Sequence, residues 1–258
     1  MQSWTEGFID RDNKIVKEFQ TTFNSSFWEL YLFNVIKNFK FDIDFTKSSP
    51  DFIIKTPYEL SIEAVISNNA FDALHEYERS FDKLPDLDVI VRTATIRLAN
   101  AISSKYKKTY SNLDYVKGKP FIIAVAPFEQ PFFWEQTNHA INHVLYGIKG
   151  YKYKNPNNKV FTEITECIYE PIIEKDNGAE IELGYFTKNQ MEEISAVLFS
   201  SAATFGKVRA LTKSKDPREM LFTFIRFNKN DLYPLSGTLP KNLYYENLDS
   251  LYANIVVA

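Results

Sequence analysis

The sequence has little of what several protein classes require. One cysteine, Cys167, occurs in 258 residues. That excludes an intrachain disulfide framework and points to a reducing compartment. Glycine is scarce at 8 residues. There is no G-x-x-x-x-G-K-[ST] loop and no G-x-G-x-x-G turn, so nucleotide-driven motors and dinucleotide dehydrogenases are not expected. No run reaches the ~18 apolar residues of a membrane span. The opening MQSWTEGFIDRDNK has no apolar core of a secretory leader, so the expected location is the cytoplasm and no membrane partner is expected. Charge of one sign is also missing. The net charge of −3 excludes a wholly basic nucleic-acid coat but not a local basic groove. No internal repeat or low-complexity stretch is present.

What is present is a large apolar and aromatic content. The chain is 45% hydrophobic and 16% aromatic, with 22 Phe and 15 Tyr, which favours large buried side chains and strands. A single domain over residues 1–258 is expected. Periodicity gives a helix from Asn24 or Ser25 to about Phe39, and an alternating strand over residues 39–45. Two further strands are expected at 51–55 and 59–66, helix and loop over 67–84, and a long helix over 87–110. The run FIIAVAP, residues 121–127, reads as a central strand buried on both faces. A helix over 132–146 follows, then a polar, basic, turn-rich stretch at 147–159. Strands at 181–186, 196–200 and 221–227 and a helix over 202–211 complete the reading. The fold class is α/β, a central mixed sheet flanked by helices, with additional α/β elements in the C-terminal half.

Ionisable residues stand where this pattern places core. Glu29 shares a helical face with Leu32, Phe33 and Ile36. Asp51 and Glu63 bracket two short apolar runs in SPDFIIKTPYELSIEAV. Lys105 lies near the centre of the stripe formed by Ile90, Val91, Ala94, Leu98, Ala101 and Ile102. Singly, each has an ordinary reading: a glutamate snorkelling from an apolar helix, a turn aspartate with an edge glutamate, a lysine escaping at a helix end. Together they offset one another's burial. Carboxylates that repel need a cation between them, and hard oxygen donors suit Mg²⁺ or Mn²⁺.

The order of a helix with Glu29, a hairpin with Pro50–Asp51 and Ile62–Glu63–Ala64, a helix with Lys105 and then FIIAVAP resembles the PD-(D/E)xK phosphodiesterase superfamily. SPDF…SIEAV also looks like a group of bacterial proteins with that core. The resemblance covers residues 24–146 and leaves 147–258 as a C-terminal extension. It implies a restriction-endonuclease-like αβββαβ core. It further implies a Mg²⁺- or Mn²⁺-dependent endonuclease acting on nucleic acid, DNA more than RNA, in bacterial defence or restriction, with a homodimer compatible. It implies that Asp51, Glu63 and the Ala64 carbonyl hold the metal, with Glu29 at the site. The chain departs from the pattern at Val65, where the superfamily lysine would stand. Lys105 is the candidate replacement. If it pointed outward, a catalytically inactive nuclease-like binding module would be the alternative.

Lys107, Lys108, Lys117 and Lys119 lie near the proposed site in sequence, and Lys152 and Lys154 interleave with Tyr151 and Tyr153. These are the candidate nucleic-acid contacts, against the ordinary reading of a solvated surface. His139 and His143 share a helical face but lack the Glu of H-E-x-x-H, so surface histidines are expected. Facing makes one more demand. For Asp51 and Glu63 to meet, they must pair across the hairpin or sit an even number of residues off that pairing. The expectation is direct pairing with Thr56, Pro57 and Tyr58 as an odd-length loop, or a β-bulge near Pro50–Phe52 that restores the same facing.

Overall fold

The computed structural model describes residues 2–11, 13–82, 84–154, 163–188, 190–208, 223–226 and 253–257. In chain order its helices are α1 Gln2–Thr5, α2 Ile15–Thr21, α3 Phe23–Asn38, α4 Leu87–Tyr106 and α5 His139–Tyr146. Its strands are β1 Asp42–Ile43, β2 Phe52–Thr56, β3 Leu60–Asn68, β4 Phe121–Phe128, β5 Ile148–Lys154, β6 Glu163–Tyr169, β7 Ile172–Glu174, β8 Glu180–Glu182, β9 Ala196–Ser200, β10 Thr223–Arg226 and β11 Ala253–Val257. Seven of them form one mixed sheet in the order β1-β2-β3-β4-β9-β11-β10.

Side-chain parity on β4 shows why the sheet is covered twice. Phe121, Ile123 and Val125 enter a core with Ala94, Leu98 and Ile102 of α4 and Ile141, Val144 and Leu145 of α5. Ala124, Ala126 and Phe128 enter a second core with Trp28, Tyr31 and Leu32 of α3. A strand buried on both faces must be apolar throughout, which FIIAVAP is. Trp28 ties the layers together, its Nε1 donating to the Ala124 carbonyl at 3.0 Å. α3 is apolar on nearly every side because the N-terminal segment covers its outer face. Trp4 packs at a tilt against Tyr31, and Asn34 donates to the Trp4 carbonyl at 2.9 Å.

β3 follows the same parity. Leu60, Ile62, Ala64 and Ile66 pack with the α3 core, while Val65 packs with the α4 core. Glu63 therefore points towards α4, as does every odd-numbered residue of this strand. β3 and β4 run parallel, joined through α4. α4 starts cleanly, with the Asp86 carboxylate accepting from the Asp88 amide at 2.8 Å.

Several local expectations change. The strand expected over 39–45 shrinks to β1, because Lys40 takes a left-handed φ of 57° at the exit of α3. Phe41, Ile43 and Phe45 still turn inward, and Phe39 is exposed. The stretch over 67–84 extends β3 to Asn68 and then runs as turns, with no helix among its described residues. The helix expected over 132–146 splits into a 3₁₀ turn, Phe133–Gln136, and α5, because Phe132 and Thr137 both have positive φ. The helix expected over 87–110 ends at Tyr106, and a 3₁₀ turn at Tyr110–Asn112 follows. The basic stretch at 147–159 enters a hairpin, β5–β6, with residues 155–159 outside the described ones. Of the strand expected at 181–186, only residues 180–182 pair, with β7. Of the helix expected over 202–211, residues 205–208 are helical and 209–211 lie outside the described residues, while β9 and β10 fall within the strands expected at 196–200 and 221–227. His143 is buried rather than a surface residue, its Nε2 at 2.9 Å from the Glu170 carbonyl.

Candidate active site

The β2–β3 hairpin pairs Phe52 with Ile62, Ile53 with Ser61 and Ile54 with Leu60. That register, continued one step, sets Asp51 opposite Glu63. Continued the other way it sets Lys55 opposite Glu59, with Thr56, Pro57 and Tyr58 as the odd-length loop that facing requires. The two acids do meet. The Asp51 amide donates to Glu63 Oε2 at 3.3 Å, and the Ala64 amide donates to Asp51 Oδ2 at 2.7 Å. The charges of the two carboxyls also act on each other, that of Asp51 raising Glu63. The N–H and C=O of one strand residue point to the same edge. The Ala64 carbonyl therefore faces the side of the strand on which Asp51 sits.

Lys105 completes the group from α4. Its ammonium donates to Glu63 Oε1. The stripe of Ala94, Leu98 and Ile102, all fully buried, fixes the helix face, so the last turn carries Lys105 over the sheet. Three elements that share no local sequence thus place Asp51, Glu63 and Lys105 in one hydrogen-bonded cluster.

The electrostatics follow from burial. Glu63 is 2% exposed. Burial, and next the charge of Asp51, push its carboxyl up to about 7 although Lys105 pulls it down. Asp51 is raised as well, chiefly by burial, with the Ala64 amide, Lys105 and Arg11 opposing. Burial alone would lower Lys105. The neighbouring Glu63, and behind it Asp51, more than offset that, and the ammonium is held charged. Two carboxyls in contact therefore share one lysine and, near neutral pH, a proton. A divalent cation would take the place of that proton.

Glu29 joins from α3 on the other side of the sheet. It lines a cavity of about 230 Å³ together with Asp51, Arg11, Glu18 and Ser48. The loop before β2 is braced from two directions. Arg11 donates from Nη1 to the Lys47 carbonyl, and the Tyr115 hydroxyl donates to the Ser49 carbonyl at 2.8 Å. Tyr110 faces Glu63 and Lys105 from the 3₁₀ turn after α4, its hydroxyl raised by burial and by Glu63. Arg11, Tyr110 and Tyr115 carry no sequence signal, because their role depends on which loops the fold brings together.

Among the described residues there is no group of three or more His, Cys, Asp or Glu arranged to hold a metal ion. The donor set at the hairpin is smaller: two carboxylates, with one backbone carbonyl on the same edge. That set fits Mg²⁺, which keeps several waters and takes one or two carboxylates.

The remaining candidates disperse. Lys107, Lys108 and Lys117 are exposed at and beyond the end of α4. Lys119 pairs with Glu59 at 3.1 Å, and Lys152 pairs with Glu166 at 2.7 Å across β5–β6. The Lys154 side chain lies outside the described ones. No helix among the described residues is long and apolar enough to cross a membrane. No family model matches the chain, and neither a curated protein nor a solved structure does.

Proposed function

We propose that the chain is a divalent-metal-dependent nuclease of the PD-(D/E)xK type that hydrolyses phosphodiester bonds, in DNA by preference. One observation carries the reading: buried Asp51 and Glu63, paired across an odd-length hairpin, meet a lysine delivered by a separate helix. A structural role alone gives no reason to bury two acids against one base, since a buried ion pair is seldom more stable than apolar residues of equal volume. Support also comes from the element order α3-β1-β2-β3-α4-β4, the αβββαβ succession that the resemblance implies. Val65 fills the usual lysine position with an apolar side chain packed on the α4 core, and Lys105 supplies an ammonium to the same glutamate.

Asp51, Glu63 and the Ala64 carbonyl would hold the cation, with Glu29 facing the adjoining cavity. When bound, the cation supplies charge for a phosphoryl oxygen and acidifies water. Lys105 then has two tasks: to orient or deprotonate the attacking water and to steady charge on the phosphate. The apolar walls of both cores strengthen these interactions by excluding solvent.

The test is a Mn²⁺ titration beside a cleavage assay on duplex DNA, single-stranded DNA and RNA. The wild type is expected to bind Mn²⁺ at millimolar concentration or tighter and to cut. The Asp51→Asn, Glu63→Gln double variant is expected to do neither. Binding of nucleic acid with no cleavage under any divalent metal would replace this reading with the inactive binding module.

A further inference from the structure

Arg11 brings a positive charge to the cavity that Asp51 opens onto, and nothing in the hydrolysis scheme above uses it. It lies in DRDNK, ahead of α2, where its own neighbours fix it. Asp10 turns the chain into that helix by accepting from the Lys14 and Ile15 amides at 3.1 and 3.2 Å. Arg11 reaches across to the Lys47 carbonyl and anchors there through Nη1. A guanidinium has five N–H donors. The Lys47 carbonyl takes one, and Arg11 lines the cavity together with Glu29, Ser48 and Asp51. Glu29 and Asp51 come from different layers, so the cavity is the place where the sheet, α3 and the N-terminal segment converge.

An arginine anchored through one carbonyl and lining a cavity beside Asp51 has the chemistry of an oxyanion receptor. We infer that Arg11 is a substrate-positioning residue that takes a non-bridging oxygen of a nucleic-acid phosphate on the side of Asp51 away from Lys105. This rests on the nuclease reading and adds to it a second cationic contact, delivered from the N-terminal segment. Lys105 reaches the acids from the α4 face, and Arg11 reaches the cavity from the α3 side. A strand of nucleic acid would lie across the open end of the hairpin between them.

A bland alternative is available. Arg11 acts electrostatically on Asp51, and it could be no more than a counter-charge for the acids of the cavity. The two roles separate experimentally. A counter-charge sets cation affinity and stability. A phosphate contact sets substrate affinity and its salt dependence, since each lost phosphate contact reduces the salt slope by about one.

The experiment uses the full chain with a fluorescein-labelled 30-base-pair duplex, and measures cleavage kinetics in Mg²⁺ over a KCl series and Mn²⁺ affinity by calorimetry. Arg11→Ala is expected to raise KM roughly 10- to 100-fold with kcat within about threefold, and to lower the slope of log KM against log salt by about one. Mn²⁺ affinity is expected to stay within about threefold. Arg11→Lys is expected to restore the slope but only part of the KM, because a point charge replaces the fork. Unchanged KM and slope in Arg11→Ala, with Mn²⁺ affinity or Tm altered, would make Arg11 a counter-charge and overturn the inference. Should Arg11→Ala fail to fold, Arg11→Gln, which keeps a polar side chain without the charge, separates the two roles by the same KM and slope. A wild type that binds Mn²⁺ yet cuts none of the substrates removes the nuclease reading, and the Arg11 role with it. That outcome is told apart because it is seen before any variant is made.

Discussion

Glu63 and Glu129 invite comparison. Both are almost fully buried, at 2% and 1% exposure, Glu63 within β3 and Glu129 just past the end of the neighbouring parallel strand β4. Glu63 has company of both signs, Asp51 on one side and Lys105 on the other. Among the described residues, the donors to Glu129 are neutral: the Ser67 hydroxyl, Gln130 Nε2 at 3.2 Å and Gln136 Nε2 at 2.9 Å. Burial raises the pKa of each. A cation can relieve the cost of burial at Glu63. At Glu129 no charged partner among the described residues is in contact, and neutral donors alone oppose the cost of burial. Burial of an acid is thus a poor guide to function by itself. The sign of what surrounds it, and whether it lies beside a cavity, decides.

The comparison is broken most sharply by making the same substitution twice. On the proposed nuclease reading, Glu63→Gln is expected to cut metal-dependent cleavage at least ~100-fold, since it would remove a metal ligand. Glu129→Gln is expected to leave the rate within about threefold, because the amide keeps the shape of the buried carboxyl and Glu129 takes no part in the cluster of Asp51, Glu63 and Lys105. Equal losses in a cleavage assay of both variants would erase the distinction. Next in size is Lys105→Met, expected to lower the rate roughly 100-fold as a proton-transfer and charge-stabilising group is removed. Wild-type rate in that variant would leave the buried ammonium a purely structural role.

Titration sharpens the contrast. Glu63 has its folded pKa raised from 4.5 to about 7. The stability it contributes is therefore present below about pH 4.5 and is lost as pH rises through about 7. Cation binding needs the deprotonated form, so Mn²⁺ affinity by calorimetry should strengthen from pH 6 to pH 8, approaching tenfold per unit below pH 7. A pH-independent affinity would mean that Glu63 is not a ligand. Glu129 shifts in the same direction, and its stabilising share likewise fades as pH rises through its raised pKa. Chemical denaturation at pH 8 is expected to find Glu129→Gln within about 1 kcal/mol of wild type. Glu129→Ala should lose about 1–3 kcal/mol, through stranded donors on Ser67 and Gln136. The smallest effect belongs to the surface. Lys152→Ala, which breaks an exposed pair with Glu166, should cost less than about 1 kcal/mol.

The hairpin, the central strand and the direction of Lys105 were legible in sequence because each follows from a period. Alternation fixes Asp51 against Glu63, an unbroken apolar run fixes β4 between two cores, and the stripe on α4 fixes where its last turn points. The rest was not legible, because backbone exceptions and long-range contacts leave no period. Lys40, Phe132 and Thr137 adopt positive φ without being glycine, and they interrupt the strand and the helix that side-chain pattern alone predicts over 39–45 and 132–146. Glu129 shows nothing in APFEQPFF to mark it as buried, since its cover comes from Ser67 and Gln136. Arg11 sits in a polar stretch 40 residues before Asp51, and only the folding of the N-terminal segment over α3 brings them to one cavity.

The three-residue tip of the β2–β3 hairpin makes this region unequally sensitive to kinds of mutation. Tyr58 at the tip is 71% exposed, so substitutions there meet little resistance. A change of length is different, because facing along a strand depends on whether a count is odd or even. Removing or adding one residue turns Glu63 away from Asp51 or forces a bulge, while adding two preserves the meeting and costs only a slightly longer loop. Seen as variation over generations, the tip is open to drift in composition and closed to single-codon insertions and deletions.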